Sequence, residues 1–121
     1  YQARFLSYLA RMTDSRFRNV AMQQELPSSF VTEEGTELSY QILSQGTKDT
    51  ASLALRLAMA EHFLDHATGF LLLDDPLVEM DPERQELASG AIREFARSHQ
   101  IIFFTCNPGI ASGLGGSEVE L

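Results

Sequence analysis

The sequence predicts an α/β fold in which parallel core strands are flanked by helices and accompanied by a small antiparallel meander. Three observations carry that expectation. Residues 70–73 (Phe-Leu-Leu-Leu) and 101–105 (Ile-Ile-Phe-Phe-Thr) are short apolar runs without alternation, as expected of strands covered on both faces in a parallel sheet. Between them Asp81-Pro82-Glu83 supplies an N-cap, a proline at N1 and an early acid, opening a helix to about residue 98. Strand, helix, strand in that order is a βαβ unit, right-handed by rule. Upstream, Val20 and Met22, then Phe30 and Val31, then Leu38, Tyr40 and Ile42 alternate with polar residues. Leu26-Pro27-Ser28-Ser29 and Glu33-Glu34-Gly35 punctuate them, so residues 17–42 read as the meander.

The remaining elements follow in order. Phe5, Leu9 and Met12 recur at i, i+4 and i+7, so residues 1 to about 16 form an amphipathic helix. It lacks a capping signal at its start, as a helix cut from a longer one would. Leu43-Ser44-Gln45-Gly46-Thr47 is a loop leading into a helix from Lys48 to about Ala67, apolar on most sides and therefore buried. Gly69 stops it. The tail is Gly-rich over residues 109–116 and strand-like over 117–121.

Composition bounds the function classes. The chain has 121 residues, 44% hydrophobic and 21% charged, the balance of one ordinary globular domain. No apolar run approaches the roughly 18 residues needed to cross a bilayer, so a cytoplasmic protein without a membrane partner is expected. Cys106 is the single cysteine, and His62, His66 and His99 offer no zinc pattern beyond one pair at helical spacing. The net charge of −8 disfavours nonspecific nucleic-acid binding by the chain as a whole. Arg4, Arg11, Arg16 and Arg18 nevertheless face only Asp14 in the first 18 residues, so a polyanion would prefer that end.

Two segments could carry chemistry. Asp74 and Asp75 end the first buried strand, where open α/β sheets bind ligands. Adjacent carboxylates repel unless a cation or donors compensate, which makes magnesium a natural partner; the plain alternative is a pair of solvated acids before Pro76. Ser44 and Gly46 lie at the start of a long helix, where free N–H groups and the dipole attract an anion, although Ser-x-Gly there is also an ordinary cap.

Together these residues resemble a family. Residues 43–47 followed by Ser52-Leu53-Ala54-Leu55-Arg56-Leu57-Ala58 look like the signature motif and helix of ABC-type ATPases. The form is that of the SMC/RecF/RecN-like coiled-coil ATPases of DNA repair and chromosome maintenance, nearest the YhaN-like branch. Residues 70–76 resemble the Walker B strand, Val78-Glu79-Met80-Asp81 the D-loop, and residues 101–107 the last core strand and switch loop. The resemblance implies the C-terminal half of a P-loop NTPase head, with residues 1–16 as the stub of the returning coiled-coil helix and 17–121 as the lobe proper. Lys48 is the one lysine, so no GxxxxGK[ST] loop exists here; the Walker A loop would come from an N-terminal lobe of the same protein. This chain alone would then bind and hydrolyse ATP weakly.

By the same resemblance, Asp74 holds Mg2+ and Asp75 polarises the attacking water. Ser44, Gln45, Gly46 and Thr47 meet ATP bound to a second copy of the head, and Asp81 lies at that homodimer interface. The assembled protein engages DNA. Two departures stand out: Asp75 replaces the usual glutamate, and Cys106 or Asn107 replaces the switch histidine. Asn107 can hydrogen-bond a phosphate but cannot take a proton, and Cys106 reads as a small buried residue. Arg56 would relay the nucleotide state to the coiled coil or form a structural ion pair. A scaffold that keeps the fold and loses turnover is the competing reading. A receiver-like phosphoacceptor fits less well, because its acids belong on the first strand.

Overall fold

A computed structural model describes residues 2–23 and 26–120. Helix α1 (Gln2–Met12) leads into three strands, β1 (Phe17–Gln23), β2 (Leu26–Thr32) and β3 (Glu37–Ser39), and a 3₁₀ turn (Tyr40–Ile42). Helix α2 (Gln45–Leu64), strand β4 (Phe70–Asp74), helix α3 (Pro82–Ala96), strand β5 (Gln100–Phe104) and helix α4 (Pro108–Leu114) complete the chain. β1, β2 and β3 form an antiparallel meander, and β4 and β5 form a parallel pair with Leu71 opposite Ile101 and Asp74 opposite Phe104. The α/β class and the strand–helix–strand unit are as the sequence predicts.

The core lies between α1, α2, α3 and the inner face of the meander. Phe5, Leu9 and Met12 of α1 are buried against Ala51, Ala54, Leu57 and Ala58 of α2 and Ala88, Ile92 and Phe95 of α3. Ala51, Ala54 and Ala58 are small, buried and spaced along one face of α2. Phe30 accepts the edges of Phe5 and Phe17, with ring centroids 6.4 and 5.9 Å apart. Polar contacts then hold α1 along its length. Arg4 pairs with Asp65, Tyr8 donates to Glu61 Oε1 at 2.7 Å, and Arg11 lies 3.6 Å from Glu94.

Several boundaries differ from the sequence reading. α1 stops at Met12 rather than near 16, because Asp14 and Ser15 take positive φ (52° and 64°) and turn the chain into β1. Leu26-Pro27-Ser28-Ser29 opens β2 instead of forming a turn; proline is tolerated in the first residues of a strand, and Met22 still pairs with Pro27. Residues 24–25, between β1 and β2, lie outside the described residues. Tyr40 and Ile42 belong to the 3₁₀ turn rather than to a strand.

α2 begins at Gln45, not Lys48, since Ser44 caps it, and it ends at Leu64. The tail from 109 to 116 is mostly α4, capped by Asn107 and closed by Gly115 at φ 74°, and 117–120 form no strand. Most consequential is β4: Leu73 is fully buried, but Phe70 and Leu72 are 51% and 50% exposed. In this chain the strand is covered on one face, not both. β5 is likewise half-covered, with Phe104 exposed. α2, too, is buried along one side only, leaving Phe63 outside.

Candidate functional site

Each segment that the sequence singles out is positioned by a cap or a strand end. Ser44 takes an extended backbone, and its Oγ accepts the Thr47 N–H at 3.2 Å and donates to Thr47 Oγ1 at 2.8 Å. Thr50 Oγ1 donates to the Gly46 carbonyl at 2.8 Å, tightening the first turn. Gln45 is exposed and donates to Asp49 Oδ1 at 2.9 Å. Ser44 and Gln45 therefore present solvent-accessible polar groups at the positive end of a 20-residue helix, while Thr47 is buried beneath them.

At the far end of the parallel pair, register places Asp74 beside Phe104, and the Asp75 N–H donates to the Phe104 carbonyl at 2.7 Å. The structure thus brings Asp74, Asp75, Cys106 and Asn107 to the same strand ends, where α/β sheets bind ligands. Asp75 has φ 47°, a left-handed conformation uncommon outside glycine, and its Oδ1 is buried with no hydrogen-bond partner among the described residues. A strained residue holding a buried, unpartnered carboxylate oxygen stores free energy that a ligand could release. Asp74 is exposed. Among the described residues no cluster of three His, Cys, Asp or Glu side chains could hold a metal. Two adjacent acids still suit magnesium, which keeps several waters and takes one or two carboxylates together with substrate phosphates.

Asp81 caps α3: its Oδ1 accepts the Arg84 N–H at 2.9 Å, and its Oδ2 pairs with the Arg84 guanidinium. The backbone bond from Arg84, then its guanidinium, hold the carboxyl below its usual range. Leu77 and Met80 anchor the loop before it in the core, and Gln85 Nε2 donates to the carbonyls of both, at 3.1 and 3.0 Å.

Other predicted residues behave differently. Cys106 is exposed, not buried, because β5 ends at Phe104 and leaves it in the following loop. Asn107 Oδ1 accepts the Gly109 and Ile110 N–H groups at 2.9 and 3.3 Å, so this side chain is occupied as the α4 cap. Arg56 is exposed and has no ion pair among the described residues, which removes the structural pairing anticipated for it. His62 is exposed near the C-terminal end of α2, and His66 is exposed in the turn that follows it. His99 is more than a loop residue: its Nε2 lies 3.1 Å from Asp65 Oδ1, and its ring tilts over Phe95.

Arg84 and Gln85 are the site residues that sequence reasoning passes over. The i, i+3 spacing of Asp81 and Arg84 is a readable ion-pair signal. Gln85 carries no such mark.

No family model matches the chain. Curated relatives do. The chain is 44% identical over 66 residues to the DNA replication and repair protein RecF of Symbiobacterium thermophilum, covering 52% of this chain and 16% of that protein. It is 50% identical over 54 residues to RecF of Gloeobacter violaceus, covering 42% and 14%. It is 39% identical over 62 residues to the DNA double-strand break repair Rad50 ATPase of Sulfurisphaera tokodaii, covering 51% and 7%. The chain therefore spans less than a fifth of the length of these relatives.

Among solved structures, one from a study of ATP-driven dimerisation and DNA-stimulated activation of SMC ATPases superposes with a TM-score of 0.73 at 15% identity. That match covers 93% of this chain and 70% of the other. The Smc head domain with an extended coiled coil, bound to the C-terminal domain of ScpA and derived from Pyrococcus furiosus, superposes at 0.69 and 15% identity, covering 93% and 29%. The fold is that of an SMC head, and the chain resembles the C-terminal lobe of SMC/RecF/Rad50-like ABC ATPases.

Proposed function

We propose that this chain, related to the SMC/RecF/Rad50 ATPases, works as the C-terminal nucleotide-binding lobe of such an enzyme and couples ATP binding and hydrolysis to head dimerisation in DNA repair or maintenance. The observation that carries the proposal is Asp75: a strained residue with a buried, unpartnered oxygen at the end of β4, one strand away from a switch-like loop. Buried polar atoms without a partner are uncommon, and each calls for an explanation. In this reading residues 1–16 are the root of a coiled coil, and an N-terminal lobe brings the Walker A loop. That lobe covers the apolar face left open on β4, β5 and the outer side of α2. Magnesium, when bound with ATP, would offset the negative charge that develops on the phosphates.

The chain's own residues divide the remaining work. Asp74 would hold the ion through water, and Asp75 would orient the attacking water. Ser44, Gln45, Gly46 and Thr47 would meet the γ-phosphate of ATP held by a second head, with Asp81 beside them, so that nucleotide bridges the two copies. DNA would be engaged by the assembly, most readily near the arginines of the coiled-coil root.

One observation favours a second reading. Asn107, whose amide takes no proton, is occupied as a cap, and Asp75 is a methylene shorter than glutamate, which would hold its carboxylate farther from the attacking water. The assembly would then dimerise on ATP with little turnover. Producing the lobe with its Walker A partner and comparing wild type, Ser44→Arg and Asp75→Asn separates the two. Hydrolysis lost in both variants supports the enzyme, with a roughly hundredfold or greater fall expected for Asp75→Asn. ATP-dependent dimerisation without turnover supports the scaffold. No response of the wild type to ATP rejects both.

A further inference from the structure

Arg84 has no role in the chemistry above, yet it joins the two elements proposed to face a second head. It stands in the first turn of α3 with its side chain 31% exposed. Nη1 pairs with Asp81 Oδ2, and Nη2 donates to Thr47 Oγ1 at 3.4 Å. Thr47 Oγ1 also accepts from Ser44 Oγ. A continuous polar chain thus runs from Asp81 through Arg84 and Thr47 to Ser44, linking segments 37 residues apart in sequence. Gly46 makes the room for it. A Cβ at that position would stand 3.2 Å from Arg84 Cζ and Nη1, so any side chain there would crowd the guanidinium.

The contact is more than an ion pair closing on its own helix. An i, i+3 pair at a helix start needs nothing from α2, and both helices are capped independently: α2 by Ser44 Oγ, which accepts the Thr47 N–H, and α3 by Asp81 Oδ1, which accepts the Arg84 backbone N–H. Neither cap depends on the arginine side chain. What the guanidinium adds is a planar, permanently charged fork that holds a carboxylate and a hydroxyl at once, which a lysine ammonium does less well.

We propose that Arg84 is a positioning residue that locks the start of α2 to the cap of α3, so that Ser44, Gly46 and Asp81 meet a second head as one rigid unit. The proposal rests on the functional reading given above. Removing the side chain leaves both helices capped and uncouples them; it also withdraws a positive charge from the helix end that would meet a phosphate.

The test uses the intact two-lobed ATPase carrying Arg84→Ala or Arg84→Lys. ATP binding to single heads, ATP-dependent dimerisation and thermal unfolding are each measured. Arg84→Ala should raise the ATP concentration for half-maximal dimerisation roughly tenfold, the loss of one charge-assisted contact, while single-head binding and Tm stay at wild-type values. Arg84→Lys should recover only part of the loss. Dimerisation of Arg84→Ala at wild-type ATP concentrations overturns the proposal, as does an equal fall in single-head binding and dimerisation. If the alanine variant fails to fold, Arg84→Gln, which keeps the stem, replaces it; unimpaired dimerisation there overturns the proposal as well. A wild-type protein that ignores ATP rejects the functional reading itself, an outcome distinct from failure of the arginine variants alone.

Discussion

The two faces of β4 differ sharply. Leu73 points into the core and is completely buried, whereas its neighbours Phe70 and Leu72 stand half in water. Across the core, α1, α2 and α3 interlock through Phe5, Leu57, Ala58 and Phe95, all fully buried. One side of the chain is finished and the other is open. Single exposed apolar residues need no explanation, but Phe70, Leu72 and Phe104 share a two-stranded sheet with open edges. Parallel sheets in α/β proteins are covered on both faces, so the open side reads as a surface made to be covered.

Substitutions that act on one side and spare the other test this contrast. The largest effect belongs to the closed side: Phe95→Ala or Leu57→Ala should destabilise the lobe by about 3–4 kcal/mol in urea unfolding, through lost burial and an uncollapsed cavity. Removing the cap of α4 by Asn107→Ala is intermediate, at about 1 kcal/mol by the same measurement. On the open side Leu72→Ala should change lobe stability by no more than about 0.5 kcal/mol. If the proposed Walker A lobe covers this face, the ranking should invert in its presence, with Leu72→Asp weakening association of the two lobes in a pull-down. Equal destabilisation of the lone lobe by Leu72→Ala and Leu57→Ala would break the comparison.

The smallest effect concerns acid. Arg4 first, and His99 after it, hold the Asp65 carboxyl below its ordinary value, so the folded state favours the ionised form. That stabilisation is complete above the ordinary carboxylate value of roughly 4 and is lost as pH falls through the lowered one. Hydrogen exchange at the start of α1 should therefore accelerate in that window ahead of the core amides. Asp65→Asn should flatten the difference.

The same contrast explains what was legible in sequence. Short-range chemistry reads well: Asp81-Pro82-Glu83 announces α3, and Phe5, Leu9 and Met12 announce the buried face of α1, because caps and periodicity act within a turn or two. Glycine and proline mislead where tertiary structure overrides local preference. Gly46 disguises the first turn of α2, Pro27 disguises the start of β2, and the tail glycines hide α4 behind the Asn107-Pro108 cap. The apolar run at 70–73 reports how buried the strand is meant to be, not how much of it this chain alone covers. The meeting of Arg84 with Gly46 and Thr47 spans too many residues for any spacing rule to announce.

Tyr8 carries a last consequence. Burial first, then its hydrogen bond to Glu61, push the phenol well above its ordinary value, so it resists ionising while α1 rests on α2. The phenolate absorbs ultraviolet light that the phenol does not. In alkali, the absorbance step from Tyr8 reports the lifting of α1 from α2, an optical label already written into the first helix.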